Sequence, residues 1–299
     1  MKKEELLEEL DILFNPEPDE DGFFPHEYPH ERISKIHKLD TSYMKTFDWE
    51  GSSIHRYTRI CKADEERLIS LTRNLDVSHK LFISALQLLG DSIVTYHDSK
   101  ERKGTLRYYP PVIMTFWSGF ETYVRYSSEL LLITVKDIPS ILEDFLLEKE
   151  LYLNKKGEQS YKTKRQPILE RYAFLLKYGY KYEVDRGNKH WQNLEKAKEL
   201  RNYYNHLDIH EPKSTSSTQV LDFIEAVMMA LIWPSCELKR TLFFGVYDLY
   251  NIYVRLYELQ SEYIEEPLLK NIPSDKGFMF HCNFENVDNL RFPNSEEKS

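Results

Sequence analysis

Apolar residues in this chain recur three or four positions apart and almost nowhere in strict alternation, so helices are the only regular structure its pattern supports. From Ala63 to Tyr96, the residues Leu68, Leu71, Leu75, Phe82, Leu86, Leu89 and Ile93 fall on one face of a long helix. Ile113, Phe116, Trp117, Phe120, Val124 and Leu131 make a second stripe, entered through Pro110 and Pro111, which suit a helix's first turn. Val220, Phe223, Ile224, Val227 and Leu231 make a third, and Leu242, Val246, Leu249, Tyr253 and Leu256 a fourth. Pro234 is expected to kink or restart the chain between these two. Shorter helices are expected near 140–153 and 167–178 with basic loops between them, and a further one begins near Trp191 and stops by Pro212. The expected fold is all-α, an antiparallel helical bundle joined by loops, with no internal repeat.

The ends of the chain read differently. Leu6, Leu7, Leu10, Leu13 and Phe14 sit at helical spacing, and Asn15 to Gly22 then breaks the pattern with proline and acid. This predicts a short docking helix on an arm. Residues 23–49 are rich in proline, histidine and aromatic residues without periodicity, and three further prolines mark residues 267–299 as a tail, with a small hairpin near Gly277. The expected organisation is an N-terminal arm over 1–58, a helical domain over 59–266 and a C-terminal tail over 267–299.

Several function classes are disfavoured at this level. No run approaches the roughly 20 apolar residues of a membrane helix, so a cytoplasmic protein with no membrane partner is expected. Cys61, Cys236 and Cys282 lie far apart with no zinc-ligand spacing, and His26, His30 and His37 lack a completing carboxylate or thiol, so no metal is expected. Only ten glycines, none in a phosphate-cradling loop, argue against nucleotide cofactors; none is expected. The net charge of −9 hides an asymmetry. Between Lys155 and Arg201 thirteen basic residues face six acidic ones, a net +7 that leaves −16 for the remainder. Such a block suits a nucleic-acid partner, although a plain solvated surface reads the same way.

The basic block ends in Arg201-Asn-Tyr-Tyr-Asn-His206. A bare Arg with His a few residues on arises by chance in a chain of this composition, and Arg32 with His37 and Arg73 with His79 are further cases. His79 falls on an apolar helix face between Leu75 and Phe82, which points to packing. Around Arg201 and His206 the context is polar instead. Residues five apart on a helix are separated by about 140°, so the two side chains do not share a face. Asn202 lies one turn before His206 and Asn205 one turn after Arg201, placing an amide beside each. Two copies of the helix across a two-fold axis would unite two arginines and two histidines in one cleft. Such a cleft suits RNA cleavage without a metal, with His206 moving a proton at the ribose 2′-hydroxyl and Arg201 on the scissile phosphate.

On these residues the chain resembles the HEPN superfamily of helical domains, many of which are ribonucleases built on Arg, a polar residue, three variable residues and His. A second likeness is Phe116-Trp-Ser-Gly-Phe-Glu121-Thr-Tyr-Val124, similar to an early HEPN helix whose acid can buttress the motif arginine. The resemblance spans about 108–262. It implies a helical bundle that dimerises across the motif helices, and an endoribonuclease acting as a toxin or effector in prokaryotic toxin–antitoxin, abortive-infection or antiviral defence. Arg201 and His206 would be catalytic, Asn202, Asn205 and Glu121 supporting, and Lys189, Lys198 and Tyr204 RNA contacts. An antitoxin or sensor protein is the expected partner besides RNA. One departure is Asp208, where members paired with a nucleotidyltransferase antitoxin often carry tyrosine two residues after the histidine. Two other readings stand beside this one: a catalytically silent module that binds RNA, nucleotide or protein through the same cleft, and a structural adaptor held by its amphipathic arm.

Overall fold

The computed structural model describes residues 3–15, 77–98, 107–134, 140–205, 215–238 and 246–263. Helix α1 is Lys3–Phe14, α2 covers 77–98, α3 is Tyr109–Thr134 and α4 is Ser140–Leu146. Strands β1, Lys149–Leu153, and β2, Gln159–Thr163, follow. Then come α5, Ile168–Phe174, α6, Lys189–Asn205, α7, Ser217–Glu237, and α8, Val246–Tyr263. The described residues are mostly helical, in line with the all-α expectation. Residues 16–76 and 264–299, with the arm, histidine cluster and tail hairpin assigned to them from sequence, lie outside the described residues.

The apolar stripes form one core. Phe82 of α2 meets Phe116 of α3 edge-on with centroids 4.7 Å apart, and Phe116 in turn faces Phe223 of α7. Trp117 lies against Phe120 and Phe223, while Phe120 meets the Tyr172 ring of α5, whose hydroxyl donates to the Ala230 carbonyl of α7. Four helices are thereby locked by aromatic rings that bury large areas and prefer these tilted geometries. Close approach of α2 to α3 depends on Gly119, where an added Cβ would sit 3.0 Å from the Phe82 ring. The Ser78 hydroxyl also donates to the Gly119 carbonyl. Gly119→Ala gains about 1 kcal/mol of helix propensity, but overpacking costs about 1–3 kcal/mol and the fully buried Phe82 has nowhere to retreat. A net loss of stability is therefore expected, read as a lower melting temperature; an unchanged or raised one would show that the ring yields.

Two sequence expectations are corrected. Helix α4 ends at Leu146 rather than near 153, because Glu148 takes a left-handed conformation (φ 54°) and turns the chain into an antiparallel hairpin. Its five-residue turn is held by Asn154, whose side-chain oxygen accepts from the Lys156 and Glu158 amides, and by Gly157 at φ 77°. Pro234 does not break α7; it sits in the last turn, where its carbonyl still accepts from Leu238. Helix α1, expected as a docking helix, packs on the bundle. Leu10 and Phe14 lean on Gly90 of α2, beside Leu256 of α8, and Glu9 pairs with Arg255, so its apolar face is buried at home.

Candidate functional site

Helix α6 positions the motif. Asn188 caps its start by accepting from the His190 amide. Its buried residues Trp191, Leu194, Ala197 and Tyr204 fall at helical spacing, and Arg201 lies on that same stripe. Arg201 thus turns inward against α3 instead of standing on a wetted face; its side chain is only 22% exposed. Across from it, Glu121 is four residues after Trp117 on α3. The Glu121 Oε1 accepts from the Trp117 indole N–H at 2.7 Å and from Arg201 Nη2 at 3.0 Å. Arg201 Nη1 donates to the Asn202 side-chain oxygen at 3.2 Å. One carboxylate oxygen, itself fixed by an indole, therefore sets the plane of the guanidinium.

A guanidinium has five donor protons, and these two bonds use two of them. Arg201 Nε is buried and makes no hydrogen bond. The remaining Nη protons leave a fork suited to a phosphate oxygen. The structure thus joins Arg201, Asn202 and Glu121. Asn205 is exposed at the end of α6 and does not share the Arg201 contacts, contrary to its expected place beside that side chain. His206 follows directly and lies outside the described residues.

One expected RNA contact, Tyr204, is turned inward. Tyr204 faces the core, its hydroxyl bonded to Thr215 Oγ1, and burial foremost pushes its pKa up to about 12. It therefore clamps the end of α6 to the start of α7 and has no ring face to offer RNA. Helix α7 is closed there by a reciprocal cap, Ser216 accepting from the Gln219 amide and Gln219 from the Ser216 amide. Lys189 is exposed and stands twelve residues before Arg201, about 18 Å along the axis. Lys198, one turn before Arg201 and half-buried, remains close to it.

Sequence reasoning missed Arg171, which the basic block concealed as one more surface charge. It is 4% exposed, donates from Nη2 to the Leu146 carbonyl at 2.9 Å and pairs through Nη1 with Glu148 at 3.4 Å. Burial depresses its pKa, while the charges of Glu148, Glu129 and Glu121 work to raise it and Arg125 opposes them. Arg171 thus ties the residues at the root of the hairpin, Leu146 and Glu148, to α5. Trp117 was also missed as a positioning group, although its spacing of four from Glu121 was readable.

The fold and site together define a helical-bundle protein with an arginine, carboxylate and amide seated between two core helices. A scan against protein-family models finds no match to the chain, and searches of curated proteins and of solved structures find none either. Among the described residues no helix is long and apolar enough to cross a membrane. No cluster of histidine, cysteine and carboxylate that would hold a metal ion occurs among them.

Proposed function

We propose that this protein is an endoribonuclease of the HEPN type, acting as a dimer through its motif helices in a prokaryotic defence or toxin system. The observation that carries the reading is the Arg201 seat: the motif arginine is fixed by Glu121, from a helix eighty residues earlier, and by the adjacent Asn202. In this reaction the 2′-hydroxyl oxygen attacks phosphorus, the bond to the 5′-oxygen of the next nucleotide breaks, and a 2′,3′-cyclic phosphate forms. His206 takes the hydroxyl proton, and a second histidine, from the partner copy, protonates the departing oxygen. Arg201 holds the phosphate and offsets its growing charge.

The test is cleavage of single-stranded RNA in EDTA by wild type, Arg201→Ala and His206→Ala. Each change is expected to lower the rate by about 10²-fold or more, and wild-type products should carry 2′,3′-cyclic phosphate. Cleavage equal in all three proteins would sink the proposal. A silent RNA-binding module is favoured by one observation, that Glu121 already compensates the charge of Arg201. That reading predicts retained binding after His206→Ala with no cleavage in wild type.

A further inference from the structure

The hairpin β1–β2 stands out from the bundle with its side chains in solvent. Leu151 is 49% exposed, Leu153 67%, Tyr161 56% and Tyr152 39%. Register pairing places Leu151 opposite Tyr161 on one face, and Tyr152 opposite Ser160 on the other. Two-stranded hairpins are marginal alone, so rings that could pack inward yet remain outside call for another explanation.

Charge identifies what these rings meet. From Lys149 to Arg165 the chain carries Lys149, Lys155, Lys156, Lys162, Lys164 and Arg165 against Glu150 and Glu158, within a chain of net −9. Glu150 is spent on Lys162 and Lys164, at 3.1 and 3.0 Å. Lys155 and Lys156, at the tip, make no ion pair among the described residues. Lys149 and Lys162 hover over the Tyr161 and Tyr152 rings at 5.9 and 5.7 Å, the outer limit of cation–π attraction. Lys149 is therefore weakly held and free to turn to a phosphate, uncovering the flat face of Tyr161, while Lys162 stays with Glu150. An acidic protein would satisfy the lysines but offer the rings no flat partner. A single-stranded nucleic acid satisfies both. The root of the hairpin is fastened through Arg171, which donates to the Leu146 carbonyl and pairs with Glu148.

We infer that the β1–β2 hairpin is a single-stranded RNA-binding arm, with Tyr161 stacking on a base and the tip lysines on phosphates. The inference rests on the reading of this protein as one that acts on RNA.

Its test uses the full chain carrying His206→Ala, so that binding is read whether or not wild type cleaves. The probe is a fluorescent twelve-nucleotide single-stranded RNA of mixed sequence, with a duplex of the same sequence as control. Tyr161→Leu, which keeps an apolar strand residue, is expected to weaken single-strand binding about ten-fold, and Tyr161→Trp to restore it. Lys155→Gln with Lys156→Gln should flatten the dependence of log affinity on log salt by about 1.4. Unchanged affinity and slope in these variants would overturn the proposal and leave the hairpin to an acidic protein partner. Failure of Tyr161→Trp to rescue, or equal loss on the duplex, would overturn the stacking role. Cleavage by wild type without hairpin dependence would overturn the arm and spare the ribonuclease; tyrosine-dependent binding without cleavage would do the reverse.

Discussion

Glu121→Ala is expected to cost RNA cleavage about 10²-fold, close to the loss from Arg201→Ala itself, because a displacement of the phosphate-holding group by about 1 Å is worth that much. Arg201 reaches its position from α6, but the plane of its guanidinium is set from α3 by a carboxylate oxygen that the Trp117 indole also holds. Without the carboxylate, Asn202 alone restrains the group, and through a single nitrogen. Stability should fall modestly: the ion pair, whose partners are 22% and 38% exposed, is worth at most about 1 kcal/mol after solvent screening, and the buried Trp117 indole N–H loses its acceptor at about 1–3 kcal/mol. Glu121→Gln keeps an acceptor for both donors and should retain more activity than Glu121→Ala. The measurement is the cleavage rate at saturating RNA, beside a melting curve of each variant. Wild-type rates in Glu121→Ala would show that the pair has no part in orienting Arg201 for the reaction.

How legible this was differs from element to element. The stripes of α2, α3, α7 and α8 were readable because each helix buries one broad face, and a buried face forces apolar residues into the helical period. The proline entry of α3 was readable for a local reason: its chemistry is contained in two adjacent residues. The hairpin was not read, although Asn154 and Gly157 mark its turn, because Glu, Lys and Leu around it favour helix and no face of it is buried to impose alternation. Arg201 and Glu121 could be singled out as residues, but not their orientation. A polar residue on an apolar stripe looks like a surface residue until its partner, eighty positions away, is in place. Tyr204 shows the converse: beside the motif it suggested a ligand contact, yet the helix turns it into the core, where Thr215 takes its hydroxyl.

Arg171→Met is expected to destabilise the fold by about 3 kcal/mol, at the lower end of the cost of removing one partner from a buried ion pair, because Glu148 keeps some contact with solvent. Methionine matches the stem of arginine but leaves the Leu146 carbonyl and the Glu148 carboxylate without their donor. For a domain of this size such a loss lowers the melting temperature by roughly 6–12 °C. Adding Glu148→Leu removes the stranded charge and should recover part of it, since an apolar pair replaces a buried ionic one at little cost. Recovery stays partial because Glu148 also accepts from the Gln166 amide. The damage should concentrate at the hairpin, whose amides are expected to exchange faster with solvent than those of α3 and α7 in the single variant. A melting temperature equal to wild type would show that Arg171 carries no net stability. Faster exchange spread evenly over the bundle would instead make it a general core residue. If the loss is local, single-stranded RNA binding should fall with it while Arg201 keeps its hold on Glu121, because the arginine that roots the arm contributes no contact to that seat.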